Sequence, residues 1–365
     1  MIRFIHAADF HLDSAFGALS APQAAVRRRE SRELILRLAN YANTHEADLV
    51  LLAGDLFDSG STFRETGEQL AEALASLRAP VLIAPGNHDW YGPGSPYAAL
   101  TWPENVHIFR RSVPEAVELP GKNVTVWGAA FTGPEQPEGL LQDFRAPEDG
   151  RLHLMVLHGD LDAPSSPYNP ITKDQAAASA LAYLALGHIH KNSGLLTCGK
   201  TVCAYPGCPE GHGFDELGEK GFLEGTVDDA GRVSLHFVPF ARRRYEIREV
   251  DVTGKDPHAA IESALPESTA ADLYRIILTG ETDERGVDLP ALQADLADRF
   301  YVLQLRDHTR IRQDVWARAE EDSLRGLFLR ELKDKLEAAG TPEERETVTR
   351  AARFGLAALD HRDIV

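Results

Sequence analysis

The chain has 365 residues, 43% hydrophobic and 26% charged, with a formal net charge of −18 from 56 acidic against 38 basic residues. This is ordinary globular usage for roughly two domains and excludes wholesale disorder. The acid excess runs through the whole chain, 30 acids against 21 bases up to Tyr245 and 26 against 17 beyond it. It excludes a surface that coats duplex nucleic acid or anionic lipid by charge alone.

The first two-thirds alternates short apolar runs with amphipathic stretches. The runs Ile2–Ala7, Asp48–Ala53, Pro80–Ala84, Val124–Trp127, Leu152–Leu157 and Tyr183–Leu186 predict buried strands. Pro22–His45, with apolar residues at Val26, Leu34, Ile35 and Leu38, and Thr62–Leu77 predict helices between the early strands. That alternation implies βαβ units and a sheet covered by helices. After His190 the pattern changes to meandering strands at Leu195–Thr197, Thr201–Ala204, Gly221–Val227 and Val233–Val238. From Tyr245 a small α/β region is expected: strands at Glu246–Val252, Leu273–Thr279 and Tyr301–Leu305, helices at Pro257–Leu265 and Leu289–Arg299. Helix formers dominate from Glu320. One helix is expected over Leu324–Ala338, and a second is opened by Thr341 as N-cap, Pro342 at the first position and Glu344 completing a capping box. The expected division is 1–244, 245–310 and a helical segment 311–365.

Cys198, Cys203 and Cys208 fit neither a disulfide framework nor a zinc C-x2-C pair and predict reduced thiols. No apolar run approaches the roughly 20 residues that span a bilayer. The N-terminus MIRFIHAADFHLDS has too short an apolar stretch for a signal peptide. A cytoplasmic protein with no membrane partner is expected.

The chemistry lies in the polar residues just beyond each strand. Ile2–Ala7 leads into Asp9-Phe10-His11, Leu49–Ala53 into Gly54-Asp55-Leu56-Phe57-Asp58, and Val81–Ala84 into Gly86-Asn87-His88-Asp89. Leu154–Leu157 leads into His158-Gly159-Asp160, and Leu184–Leu186 into Gly187-His188-Ile189-His190. Strand C-termini of an α/β sheet converge on one crevice, where ligands bind. Residues two apart in extended backbone point to the same side, so Asp9 with His11, and His188 with His190, can enter one site. Carboxylate, amide and imidazole donors in that number form a ligand set for two divalent cations.

At these residues the chain resembles the calcineurin-like metallophosphoesterase superfamily and, within it, the bacterial DNA repair exonuclease branch of the SbcD and YhaO type. The resemblance extends through Tyr205-Pro206-Gly207 and Gly218-Glu219-Lys220-Gly221, which look like that branch's hairpin after the motifs. The small α/β region is placed like its capping domain. The resemblance implies an α/β fold, a four-layer αββα sandwich with a small α/β capping domain and C-terminal helices. It implies a dinuclear centre, usually manganese-dependent, with iron, zinc or magnesium as alternatives. Asp9, His11 and His190 would bind the first metal, and Asn87, His158 and His188 the second, with Asp55 bridging. His88 would be the catalytic histidine. Asp58 stands where some relatives place a histidine and is a candidate to orient His88, with Asp89 as its rival. Leu12-Asp13-Ser14 replaces a motif in which glycine often comes after the leucine. Two metals roughly 3.5–4 Å apart can clamp the attacking and leaving oxygens of a displacement.

The implied activity is that of a DNA exonuclease or endonuclease acting on ends or single strands. It would be the nuclease subunit of a complex with an SMC-like ABC ATPase, and a homodimer is a further expectation from that branch. The alternative is a phosphodiesterase or phosphatase for small molecules such as cyclic nucleotides, which the charge favours. Trp90 and Tyr91 could stack on a base or simply pack. Arg64, His212 and Arg242–Arg244 are candidate phosphate contacts. The two basic clusters, Arg27–Arg29 and Arg242–Arg244, are expected to be solvated faces. Leu324, Leu327, Phe328, Leu332 and Leu336 recur at helical spacing and would dock on the partner's coiled coil or pack on the protein's own core.

Overall fold

The early strands are apolar at consecutive positions because both of their faces are buried. In the computed structural model, which describes residues 1–59, 63–283, 285–311 and 316–359, β1 (Ile2–Ala7), β2 (Leu49–Leu52) and β3 (Val81–Ile83) run parallel with β4 (Val106–Ile108). Between them lie α1 (Ala21–Thr44), α2 (Arg64–Ala75) and the short α3 (Pro96–Ala99). The expected start of the second helix, Thr62, lies outside the described residues. A second sheet is built from β5 (Glu115–Glu118), β6 (Val124–Gly128), β7 (Leu152–His158), β8 (Tyr183–Gly187), β9 (Leu196–Cys198) and β10 (Thr201–Ala204), with α4 (Lys173–Ala178) before β8. The strands β11 (Gly221–Val227) and β12 (Val233–Pro239) return to the first sheet.

The two six-stranded sheets have the orders β12-β11-β1-β2-β3-β4 and β5-β6-β7-β8-β10-β9. The four strands after His190 are therefore not one meander. β10 adds parallel to β8, whereas β11 adds antiparallel to β1. Residues 205–220, expected as part of a hairpin, instead cross from one sheet to the other. The reason is register: Gly221–Val227 completes the edge that β1 leaves open.

Alternation of side chains builds the layers. Phe4, Leu49, Leu51 and Leu82 of the first sheet share one core with Val126, Leu154, Val156 and Tyr183 of the second. On the outer face of the first sheet, Ile5, Val50, Leu52 and Ile83 pack against Leu34, Ile35, Leu38, Leu70 and Leu74 of α1 and α2. On the outer face of the second, Met155, Leu157, Leu184 and Leu186 pack against Leu140, Leu141 and Ala176. This is the expected α/β sandwich with two sheets at its centre. Helix α1 starts with a Ser20–Gln23 capping box and Pro22 in its first turn.

The chain folds into two compact units. The first comprises Met1–Arg248, Pro266–Arg275 and Ala297–Gln304, the second Glu249–Leu265, Ile276–Leu296 and Leu305–Val365. The later elements are β13 (Tyr245–Asp251), α5 (Pro257–Ala264), β14 (Leu273–Thr279), β15 (Glu281–Thr282), α6 (Leu289–Leu296), β16 (Val302–Asp307) and β17 (Arg310–Ile311). They form a three-stranded sheet in the order β13-β14-β16 and a small β15-β17 pair. Within the second unit, α7 (Leu324–Ala338) and α8 (Pro342–Leu359) pack on each other. The Thr341 cap is formed as expected: Glu344 N donates to Thr341 Oγ1 at 3.2 Å, and Thr341 N to Glu344 Oε2 at 3.2 Å. Phe328 and Leu332 join Leu329, Ala352 and Leu356 in a local core, while Leu324 and Leu327 stay exposed.

Candidate metal centre

The loops after β1, β2 and β3 meet those after β7 and β8. Asp9 N donates to Gly54 O at 3.0 Å and His11 N to Asp55 O at 3.0 Å, which joins the first loop to the second. His88 N donates to Asp55 Oδ1 at 2.9 Å and joins the third. His188 N donates to Asp9 Oδ1 at 3.0 Å and ties the second sheet to the first. Four residues here have left-handed backbones that side chains rarely adopt: Asp9 (φ 57°), His11 (φ 42°), Asp55 (φ 51°) and His188 (φ 103°). Such a conformation costs on the order of 1–2 kcal/mol per residue, and the hydrogen bonds between the loops hold it. Gly187 allows the closest approach, since a Cβ there would lie 1.8 Å from Ala53 O.

All seven expected ligands come together. Donor atoms of Asp9, His11 and His190 lie within 4.8 Å of one another, as do those of Asp55, His158 and His188. Asn87 Oδ1 completes the second group, 3.0 Å from His158 Nε2 and 3.1 Å from His188 Nδ1. Asp55 Oδ2 stands between the groups, 3.2 Å from His158 Nε2 and 3.9 Å from His11 Nε2.

His158 and His190 are tied outward by a hydrogen bond from one nitrogen and face the centre with the other, which is how ligating histidines are held, while His11 and His188 each have a carboxylate near the outer nitrogen. His158 Nδ1 donates to Ala53 O at 2.8 Å. His190 Nδ1 donates to the Glu216 carboxylate. His188 Nε2 lies 3.5 Å from Asp160, and His11 Nδ1 lies 3.3 Å from Asp58. The residues fit divalent cations. The inward nitrogens of His11 and His190 are 3.0 Å apart, an arrangement that needs a shared proton or a cation between two lone pairs. The donors are all oxygen and nitrogen, as such cations prefer.

The carboxylates and imidazoles lie close enough to set one another's charge. Burial raises the Asp9 pKa. Burial also opposes ionisation of Asp55, but His158 and His11 hold it below the usual carboxylate range. Burial disfavours the His158 cation, yet Asp55 and Asp9 outweigh that and raise it to about 9. His188 is lowered to about 4 by burial and by its neighbour His158. A divalent cation between the carboxylates would displace the His158 proton.

The expected carboxylate pairing of Asp58 with His88 is not what the structure contains. His88 Nδ1 donates instead to the Asp58 backbone carbonyl at 2.8 Å, while the Asp58 carboxylate faces His11. The turn after β2 brings the carbonyl, rather than the side chain, under the ring. Asp89 does not hold His88 either. Its buried carboxylate accepts from Gly86 N at 2.7 Å, Leu56 N at 2.7 Å, Asp55 N at 3.2 Å and Tyr97 Oη at 2.5 Å, pinning the second loop to the third.

Glu216 is a functional candidate that the sequence alone does not single out. Burial opposes its charge, but His190 and His212 hold its pKa far below normal. Nothing in the spacing of Gly213-Phe214-Asp215-Glu216 marks it. Arg27 departs from the expected solvated face. It is fully buried, with Glu30 at 3.0 Å, Glu210 closer still and Gly211 O at 2.9 Å. The other cluster is neutralised: Arg242 pairs with Glu33 at 2.8 Å, Arg243 with Glu30 at 2.8 Å and Arg244 with Asp272 at 3.4 Å. Arg64 is exposed and paired with Glu68. Tyr91 packs against both sheet cores, whereas Trp90 is partly exposed. The three cysteines are buried and free.

A family profile described as calcineurin-like phosphoesterase matches residues 2–192, from β1 past the last ligand loop. The chain belongs to the calcineurin-like phosphoesterase family. The resemblance carried by the motifs is thus borne out. The uncharacterized metallophosphoesterase YhaO of Bacillus subtilis (strain 168) is 32% identical over 307 residues, 79% of this chain and 74% of that protein. The DNA double-strand break repair protein Mre11 of Methanopyrus kandleri is 26% identical over 280 residues, 70% of this chain and 60% of its own length. The SbcD component of the nuclease SbcCD of Escherichia coli (strain K12) is 23% identical over 319 residues, 74% and 73% of the two chains. As a metallophosphoesterase, the chain is a metal-dependent phosphoester hydrolase by family. Among the described residues, no helix is long and apolar enough to cross a membrane.

Proposed function

We propose that the chain is a dinuclear-metal-dependent phosphodiesterase that cuts DNA at ends or in single strands, as the nuclease subunit of a complex with an SMC-like ABC ATPase. The observation that carries the phosphodiesterase reading is the convergence of Asp9, His11, Asp55, Asn87, His158, His188 and His190 beside His88. The names of the Mre11 and SbcCD relatives support DNA as the substrate.

Asp9, His11 and His190 would hold the first metal and Asn87, His158 and His188 the second, with Asp55 within reach of both groups. Manganese is the cation the family resemblance implies, and the oxygen and imidazole donors admit iron, zinc or magnesium as alternatives. When bound, the cations supply charge to neutralise the phosphoryl oxygens and to activate the attacking water. The chain's own residues do the rest. His88, anchored through Nδ1 on Asp58 O, presents Nε2 to the leaving oxygen, to stabilise it or to give it a proton. Asp58 positions His88 through its carbonyl and His11 through its carboxylate. Residues 245–310 act as the capping domain, and 311–365 carry the helices that dock the partner; of these, 312–315 and 360–365 lie outside the described residues.

A second reading, hydrolysis of small phosphodiesters, is favoured by one observation: the Arg242–Arg244 cluster is occupied by acidic partners. A manganese titration with a labelled oligonucleotide and with bis-p-nitrophenyl phosphate separates the two. Cleavage of both supports the nuclease, and cleavage of the small ester alone overturns it.

A further inference from the structure

Glu216 lies in the segment that crosses from β10 to β11, with a side chain only 10% exposed. Oε1 accepts from His190 Nδ1. Oε2 accepts from His212 N at 2.7 Å, from His212 Nδ1 at 3.1 Å and from Cys208 Sγ at 3.6 Å. No arginine or lysine among the described residues forms an ion pair with it. The nearby Lys220 ammonium is taken by His190 O at 3.0 Å. A carboxylate this deep needs a counter-charge, and among the described residues its ion-pair partners are the imidazoles of His190 and His212. One of them, His190, has its far nitrogen 3.0 Å from that of His11, inside the donor group with Asp9.

Two of the expected ligands, one from each group, are backed differently, although His188 in the second group also has Asp160 3.5 Å from its Nε2. His158 leans on a neutral carbonyl, Ala53 O. His190 leans on a buried anion. A carboxylate behind a ligating imidazole fixes its tautomer and makes the inward nitrogen a stronger donor.

We propose that Glu216 is a positioning residue for the first metal: it keeps the His190 proton on Nδ1, aims Nε2 at the space shared with Asp9 and His11, and lends its charge to the cation through the ring. This rests on the reading of His190 as a ligand of that metal. The segment 205–220 then serves the hydrolytic centre although none of its residues is among the seven expected ligands.

The test is calorimetric titration of metal-free protein with Mn²⁺. Glu216→Gln preserves shape and an acceptor oxygen but removes the charge. One of the two binding steps should weaken by about 10–100-fold, the other by less than about 3-fold, and turnover should recover at high Mn²⁺. His212→Ala, which removes the other imidazole and leaves Glu216 charged, should keep both steps within about 3-fold. Unchanged steps in Glu216→Gln, or an equal loss in His212→Ala, overturn the proposal. Should Glu216→Gln fail to fold, nitrogen-15 NMR of Zn²⁺-loaded wild-type protein decides: a proton on His190 Nδ1 supports it, and one on Nε2 overturns it. Asp9→Asn tests the underlying reading separately, because both steps surviving that change would remove the first-metal assignment itself.

Discussion

Replacing Asp89 by alanine tests whether this residue, rather than the ligands themselves, holds the second and third loops together. Its carboxylate is 1% exposed and accepts from four backbone N–H groups, Gly86, Leu56, Asp55 and the longer Phe57 at 3.4 Å, and from the Tyr97 phenol. Truncation leaves five donors without an acceptor. A buried donor left unsatisfied costs about 1–3 kcal/mol, and a water entering the vacated space can satisfy about two of them. Burial and repulsion from Asp55 raise the Asp89 pKa, so part of the loss is recovered when the charge goes. The expected net destabilisation is about 3 kcal/mol. Tyr97→Phe removes one of the five donors and should cost about 1 kcal/mol. Urea unfolding of metal-free protein, read by tryptophan emission, measures both. A loss below about 1 kcal/mol in Asp89→Ala, or equal losses in the two variants, would show that the carboxylate is not the hub of these loops.

Other consequences can be checked alongside. Gly187→Ala puts a methyl 1.8 Å from Ala53 O and 2.9 Å from His158 Nδ1; it should destabilise the fold by at least about 3 kcal/mol and disturb metal binding, and a near-neutral effect would refute the close approach. His88→Ala should leave both Mn²⁺ steps intact while lowering turnover about 10²–10⁴-fold, and loss of metal would refute its role outside the ligand set. His6 sits between the sheets, bonded to Tyr183 Oη at 2.7 Å, and burial lowers its pKa from 6.5 to about 3. Between those pH values the unfolded chain binds a proton that the folded one refuses, so stability falls as the pH drops, by about 1.4 kcal/mol per unit. His6→Gln should flatten the unfolding midpoint between pH 6 and 4 (about one proton's worth), and parallel profiles would exclude this.

Features that depend on local pattern were legible in the sequence. The strands β2, β3 and β8 are buried on both faces and stand out as unbroken apolar runs, and β1 and β7 are apolar apart from Arg3, His6, His153 and the terminal His158. The polar residues ending each run could be seen as one cluster because parallel strands deliver their C-termini to one edge. What stayed hidden depends on pairing between distant segments. β5 reads Glu-Ala-Val-Glu, an edge strand with a half-buried and an exposed acid, and gives no apolar run. Glu216 and Asp89 acquire their roles only when the crossover after β10 and the turn after β3 bring them under other loops. Arg27 looks like one member of a basic surface triplet; its burial results from Glu210 arriving from 183 residues away.

The net charge of −18 bears directly on how DNA could reach this centre. Asp9, Asp55, Asp58, Asp160 and Glu216 crowd the crevice, and histidines are their partners in ion pairs there. Two divalent cations would offset that crowd locally and still leave the chain strongly acidic. Away from the centre, phosphates approaching the isolated chain meet like charge, and the Debye length of about 10 Å at 0.1 M salt sets how far that repulsion reaches. A basic nuclease releases counterions on binding and weakens steeply as salt rises, with a logarithmic slope of about −0.9 for each phosphate neutralised. This chain should behave differently. The KM for a labelled single strand, measured at fixed Mn²⁺ over roughly 20 to 200 mM KCl, should stay level or fall as screening grows, with a slope in affinity no steeper than about −1. A slope of about −3 or beyond would mean that several free cations face the substrate, and the neutralised Arg242–Arg244 cluster would then have to open when DNA binds.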